Sequence, residues 1–146
     1  LLLLDIDSFK AFNDHFGHQH GDNCLATVAQ GLRDMLKRPG DLAARYGGEE
    51  FAAILPDTSL EQARAVAETI RTYIASLGVP QAPDAAFPHV TLSIGVASAA
   101  TLGGDAGLPV EPAALIEAAD RALYAAKRGG RNRVLADGDA AAVKPV

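Results

Sequence analysis

The stretch Arg45-Tyr46-Gly47-Gly48-Glu49-Glu50-Phe51 decides how the chain is read. Leu42-Ala43-Ala44-Arg45-Tyr46 runs into it and Phe51-Ala52-Ala53-Ile54-Leu55 leaves it, and both segments are acceptable as short strands. Two glycines between them supply the positive φ of a tight hairpin turn. The glycines then hand over to two adjacent carboxylates, which a solvent-facing hairpin tip does not need. Like charges side by side repel unless a cation sits between them. Taken alone, Gly-Gly-Glu-Glu reads first as a solvated acidic turn. The case for a metal site there rests on the rest of the chain.

A chain of 146 residues fits one domain with a real core. Hydrophobic residues make up 49% and charged residues 21%, as in an ordinary globular protein. The net charge of −5 argues against non-specific nucleic-acid binding. The single cysteine, Cys24, excludes an internal disulfide and a Cys-based zinc site, which suits a reducing cytoplasm. Cys24 falls on the apolar side of a helix pattern and reads as a small core residue.

Upstream, Leu1 to Leu4 are far too few for a membrane span or a signal peptide. They read as the buried central strand of a sheet. This strand runs into Asp5-Ile6-Asp7, and carboxylates at the carboxyl end of a buried strand are placed where active-site groups commonly sit. An abrupt start on a central strand points to a piece of a longer protein. Ser8 is expected to cap a helix whose core face is Phe9, Phe12 and Phe16, with Lys10, Asn13 and Asp14 off that stripe. Gly17 ends it. The stretch from His18 to Asp22 reads as a polar turn, with Asp22 or Asn23 capping a longer helix on Leu25, Val28, Ala29, Leu32, Met35 and Leu36. His18 and His20 lack the spacing of a helical zinc pair.

Downstream, Arg38-Pro39-Gly40-Asp41 is a turn. Ser59 and Gln62 form a capping box for a helix with Leu60, Ala63, Val66, Ala67, Ile70, Ile74 and Leu77 inward. Residues 79 to 88 read as a variable surface loop. Residues 90 to 97 read as a strand, in which Gly95 signals a close approach to the backbone. A Gly-rich loop follows from Ala99 to Pro109. The last helix spans about Pro112 to Arg128, Gly129-Gly130 stops it, and Arg131 to Leu135 return as a final strand. Residues 1 to 135 form the domain, and 136 to 146 read as a flexible tail. The order strand, helix, helix, hairpin, helix, strand, helix, strand describes an α/β (α+β) sandwich of the ferredoxin-like kind.

Asp5-Ile6-Asp7-Ser8-Phe9-Lys10, Asn13-Asp14, Phe16-Gly17-His18, Gly21-Asp22, Arg45 to Phe51, Ser93 to Ala97 and Asp120 to Asn132 stand in this order along the chain. The ordered set resembles the GGDEF domain of bacterial diguanylate cyclases from Leu1 to about Leu135. That resemblance implies a palm-type mixed sheet flanked by helices, similar to class III nucleotide cyclases. It also implies a nucleotidyltransferase of bacterial signalling that condenses two GTP into cyclic di-GMP with release of pyrophosphate. The expected chemistry is attack of a 3′-hydroxyl on an α-phosphate, assisted by two Mg²⁺ or Mn²⁺ ions per active site.

The resemblance also assigns roles. Asp5 and Glu49 match metal ligands, with Ile6 offering its main-chain carbonyl, and Glu50 matches a position that helps with metal binding or deprotonation. Which of Glu49 and Glu50 is the base stays open. Asn13 and Asp22 match the readers of the guanine edge, and His18 a position beside the nucleotide. Lys10, Lys127 and Arg131 match cations around the triphosphate, with Lys10 the transition-state stabiliser. Gly47 and Gly48 let the backbone pass close to the phosphates. Arg38 and Asp41 match the RxxD site at which bound product inhibits, and Arg engages guanine or phosphate bidentately. By spacing, Thr69 replaces the arginine that completes this site in the family, although Arg71 is near.

The third motif letter is Glu in place of Asp, and both carry the carboxylate. The helix that usually precedes the first strand in the family, and any sensory domain, lie outside this sequence. The implied partners are GTP, cyclic di-GMP and a transient homodimer of half-sites, with no nucleic acid and no membrane segment; the implied location is the cytoplasm. Two alternatives stay open, a non-catalytic member that senses GTP or cyclic di-GMP, and a mononucleotide cyclase on the related fold.

Overall fold

The computed structural model describes residues 1–103 and 109–139. Its centre is β1 (Leu2–Ile6), in which every residue is buried. Residues on a strand alternate faces, so Leu2, Leu4 and Ile6 join one core cluster while Leu3 joins another. Four helices flank a five-stranded mixed sheet of order β2-β3-β1-β4-β5. β2 (Leu42–Gly47) and β3 (Glu50–Ile54) form the antiparallel hairpin, β3 and β4 (Leu92–Val96) both run antiparallel to β1, and β5 (Val134–Ala136) runs parallel to β4.

One face of the sheet carries α2 (His18–Met35) and α3 (Leu60–Ser76), with Val28, Leu32, Ile70 and Ile74 in the larger cluster. The short α1 (Phe9–Phe16) lies against α2 and contributes Phe9 and Phe12. The other face carries α4 (Pro112–Arg128), whose inward side includes Ala118, Ala119, Ala122 and Ala126. Small side chains let α4 lie very close to β4. A Cβ on Gly95 would stand 2.1 Å from the Ala119 carbonyl oxygen and 2.4 Å from the Leu123 nitrogen. The close approach expected at Gly95 is met by a helix backbone.

The capping box on α3 is formed as expected: Gln62 N–H donates to Ser59 Oγ, and Ser59 N–H donates to Gln62 Oε1. Cys24 is a buried core residue, and burial pushes its thiol up to about 11.

Other boundaries differ from the sequence reading. Ser8 precedes α1 but has left-handed φ 57° and its side chain makes no capping bond. The polar stretch from His18 is already helical, so Asp22 lies inside α2 rather than capping it. The reason is Gly17, whose φ of 87° turns the chain sharply while its N–H closes α1 on the Asn13 carbonyl. Leu77 follows α3 and is 38% exposed rather than inward.

The segment 79–89 is no free surface loop, because Pro80 bridges His89 and both Gln81 and Ala82 are buried. Ala100–Leu102 form a single 3-10 turn, and the rest of that expected loop includes residues 104–108, outside the described residues. The expected final strand from Arg131 instead begins at Val134, since Arg131 and Asn132 have positive φ. It runs through Ala136, which is fully buried, one residue past the expected domain end. Asp137 and Asp139 then pair with Arg121 and Arg64, and 140–146, the remainder of the expected tail, lie outside the described residues. No helix among the described residues is long and apolar enough to cross a membrane.

Candidate active site

The hairpin tip and the end of β1 are brought together by strand register. Asp5 stands opposite Glu50 on one side and Ser93 on the other. Ile6 N–H donates to the Glu49 carbonyl at 3.3 Å, tying the turn to β1. Pairing shifts by one residue between Arg45 and Gly47, so the tip bulges. Of the two glycines only Gly48 takes a positive φ, of 49°. The Arg45 guanidinium closes the turn by donating from Nε to the Gly48 carbonyl at 2.8 Å. A Cβ on either glycine would meet no protein atom within 4 Å, so the surface over this backbone is open to a ligand.

Strand alternation puts Asp5 on the same face as Leu3, toward α4. Lys127, in the last turn of α4, donates from Nζ to Asp5 Oδ2 at 2.7 Å. The Asp5 carboxyl is nonetheless pushed up to about 6. Burial is the largest cause; the Lys127 bond and charge oppose it, while the Glu49 and Glu50 charges add to it. Two carboxylates and one ammonium thus bear on Asp5. Among the described residues no three Asp, Glu, His or Cys side chains converge to cage an ion unaided. Mg²⁺, however, is usually held by one or two carboxylates together with substrate phosphates. Asp5, Glu49 and a main-chain carbonyl therefore fit a hard cation completed by its nucleotide.

Beside the hairpin lies a cavity of about 430 Å³ lined by Lys10, Asn13, His18, Asp22, Gly48 and Glu49 among others. The early start of α2 explains two of these, since His18 and Asp22 are four residues apart on one helix face. Lys10 and Asn13 are three apart on α1 and share a face likewise. Gly21 is the hinge of this corner: a Cβ there would strike the Asn13 side chain and approach Phe9. Asn13 Oδ1 is a buried acceptor without a partner among the described residues. An adjoining groove of about 470 Å³ between α2 and β2 shares Asp22, Leu25 and Arg45.

Arg131 is exposed in the turn after α4 and does not line this cavity. Arg38 and Asp41 do meet: Nε and Nη2 donate to the two carboxylate oxygens at 3.2 and 2.9 Å, and Nη2 also reaches Thr58 Oγ1. Arg71 does not join them, because it is bonded to Glu68 and Asn132. Thr69 is exposed, with its hydroxyl turned back to the Ala65 carbonyl.

Three groups escaped the sequence reading. Arg45 clamps the turn, a role that its place in the motif does not signal. Asp7 proves to be a buried hub accepting from Thr91 and Ser93. Gln81 holds the Asp7 carbonyl. The signal for the hub was present in Thr91 and Ser93, two hydroxyls at alternate positions in an otherwise apolar strand.

Residues 1–133 match the family model described as diguanylate cyclase, GGDEF domain. The chain is 43% identical over 134 residues to the response regulator PleD of Caulobacter vibrioides, covering 92% of this chain and 28% of that protein. Over 136 residues it is 43% identical to the diguanylate cyclase DgcM of Escherichia coli, covering 93% and 30%. It therefore spans less than a third of the length of these relatives. Among solved structures, the GGDEF domain of DgcB from Caulobacter crescentus in complex with c-di-GMP superposes with TM-score 0.78 at 38% identity, covering 94% of this chain and 76% of that one. The active GGEEF domain of a diguanylate cyclase from Vibrio cholerae gives 0.76 at 33%, covering 93% and 80%.

Proposed function

The chain belongs to the GGDEF family, whose domains have the palm-like cyclase fold, and on that premise we propose that it is a diguanylate cyclase domain converting two GTP into cyclic di-GMP and pyrophosphate. One observation carries this reading: Glu49, whose charge helps raise the neighbouring Asp5 carboxyl, lines a cavity together with Asp22 and with Asn13, whose buried Oδ1 has no partner among the described residues. Acidic groups gathered for a cation thus adjoin polar groups suited to a base.

Asn13 Oδ1 and the Asp22 carboxylate accept from the N1–H and exocyclic amine of guanine, and His18 lies alongside the nucleotide. Lys10, released Lys127 and Arg131 face the triphosphate, with Lys10 aimed at the charge that grows on transfer. Gly47 and Gly48 let the phosphates lie against the main chain. The 3′-hydroxyl oxygen of one GTP bonds to the α-phosphorus of the other. The bond from that phosphorus to the bridging oxygen breaks, pyrophosphate departs, and the hydroxyl proton passes to a carboxylate of the Glu49–Glu50 pair. A second transfer closes the ring. Asp5, Glu49 and the Ile6 carbonyl would hold Mg²⁺ or Mn²⁺, which neutralises charge on the attacking and leaving oxygens when bound.

One such site holds one GTP, so two copies face each other across a two-fold axis, each contributing one substrate. Cyclic di-GMP binds at Arg38 and Asp41 as an inhibitor. The domain works in the cytoplasm, where GTP is supplied, as one part of a longer signalling protein. Incubation with GTP and Mg²⁺, with products separated and weighed by mass spectrometry, tests the reading. Cyclic di-GMP with pyrophosphate is expected. GTP binding without turnover would make the protein a sensor, and cyclic GMP would make it a mononucleotide cyclase.

A further inference from the structure

We propose that Asp7 and Asn132 form a latch that positions Lys127 and Arg131 for the triphosphate, an inference that rests on the diguanylate cyclase reading. Asp7 is 3% exposed. Thr91 Oγ1 donates to its Oδ2 at 2.7 Å and Ser93 Oγ to its Oδ1 at 2.6 Å, both from around β4. The third donor is the main-chain N–H of Asn132, 3.0 Å from Oδ2 and from the turn that follows α4. Gln81 Nε2 holds the Asp7 carbonyl at 2.9 Å, adding the 79–89 segment to the same point. Asp7 lies two residues from Asp5, yet its oxygens are engaged by donors inside the protein.

The latched turn needs holding. Gly130, Arg131 and Asn132 have consecutive φ values of 113°, 63° and 44°. Non-glycine residues enter that region against steric resistance, Asn more readily than most. Two further bonds keep the turn in place. Arg131 N–H donates to the Ala126 carbonyl, and Arg71 Nη1 donates to Asn132 Oδ1 at 2.7 Å. Lys127 ends the helix that enters this turn and Arg131 stands within it. Asp7 therefore anchors the turn that carries Arg131 and that follows Lys127, whose Nζ meets Asp5 at the end of β1. Asn13 and Asp22, on α1 and α2, take no part in the latch.

The separation between the two halves of the nucleotide site makes the test. Affinities for inorganic pyrophosphate, a non-hydrolysable GTP analogue and guanosine are measured by calorimetry with Mg²⁺ for wild type, Asp7→Asn, Asp7→Ala and Asn132→Gly. Asp7→Ala leaves the Asn132 N–H without an acceptor. It is expected to bind pyrophosphate and the analogue on the order of tenfold more weakly, as loss of an outer positioning partner does, with guanosine unchanged. Asp7→Asn keeps an acceptor toward Asn132 and is expected to stay close to wild type. Asn132→Gly keeps the N–H and tolerates the positive φ but loses Arg71, and is expected to weaken pyrophosphate and the analogue by a smaller factor, again with guanosine unchanged.

A folded Asp7→Ala that binds pyrophosphate like wild type, or loses guanosine by the same factor, overturns the latch. Should Asp7→Ala not fold, unchanged pyrophosphate affinity in Asn132→Gly overturns it instead. A wild type that binds none of the three ligands overturns the reading of the site and the latch together. A wild type that binds all three beside an unaltered variant overturns the latch alone.

Discussion

Lys127 Nζ lies 2.7 Å from Asp5 Oδ2 and so joins the last turn of α4 to the carboxyl end of β1. The pair is unequal. Burial favours the neutral acid more than the ammonium favours the carboxylate, and Asp5 stays protonated up to about pH 6.

Stability should therefore fall as pH rises through this range. An ordinary Asp loses its proton near 3.8 in the unfolded chain, whereas folded Asp5 holds it to about 6. Between those values the folded state binds more protons, so raising pH favours unfolding, and above about 6 the penalty is constant. After allowance for solvent screening of a site at the edge of the protein, this is worth about 1–2 kcal/mol. The stability difference between wild type and Asp5→Asn, from urea titrations at pH 4 to 8, should shift by an amount of this order and then level off. Lys127→Met should extend the window above pH 6. A difference that is flat with pH would contradict the burial of Asp5.

Glu49→Gln should reduce turnover at least about a hundredfold, as removal of a transition-state contact does. The residue sits on a half-buried turn, and stability should change by only about 0.5 kcal/mol. Turnover and urea midpoints on the same preparation check this. A folded variant with near wild-type turnover would remove Glu49 from the mechanism.

ATP should be a poor substrate for the wild type, and Asp22→Ala should narrow the gap between GTP and ATP. A pocket built to bond one base edge rejects another by leaving buried polar groups unpaired. Asn13 Oδ1 is already such a group. The ratio of kcat/KM for the two nucleotides is the measurement, and equal values for the wild type would count against the assignment.

If each copy holds one substrate, as proposed, specific activity should rise with protein concentration. Fusion of a dimeric coiled coil at the N-terminus should raise activity at low concentration by effective molarity. A dilution series of a demonstrated monomer with constant specific activity would show the half-site model to be wrong.

Inhibition by cyclic di-GMP should be weak and should strengthen in Thr69→Arg. The Arg38 fork is engaged by Asp41 and Thr58, and Arg71 is committed to Glu68 and Asn132. Inhibition constants for the wild type and this variant decide it, and Arg38→Ala should abolish the effect.

Much of this was legible in the sequence, for reasons that differ by residue. Leu1 to Leu4 announced the central strand because an apolar run without alternation fits burial on both faces. Gly95 marked a close approach because a strand interior has little other use for glycine. The start of α2 was missed because His18, Gln19 and His20 carry no apolar stripe, and the helix there is set by the reversal at Gly17. Arg71 is near along the chain, but it is held by Glu68 and by Asn132, the latter 61 residues away in sequence. Asp7 stands close to Asp5 in the sequence and carries no role of its own there. Alternation puts these two on the same side of the strand, and only tertiary contacts separate the carboxylate that Lys127 meets from the one that Thr91, Ser93 and Asn132 hold.

Gly95 also makes α4 a lever. The helix rests on the sheet at Ala119 and Leu123, with no room for even one methyl group at the point of contact. Lys127 lies eight residues beyond Ala119, about 12 Å along the axis at 1.5 Å per residue. A side chain at Gly95 would pry the helix up from its fulcrum, and the tilt would be greatest toward its far end. The ammonium that meets Asp5 would swing out of reach, so a fault in the middle of the sheet would be felt at the active site. The tolerance of the chemistry is thus set by a residue with no chemistry of its own.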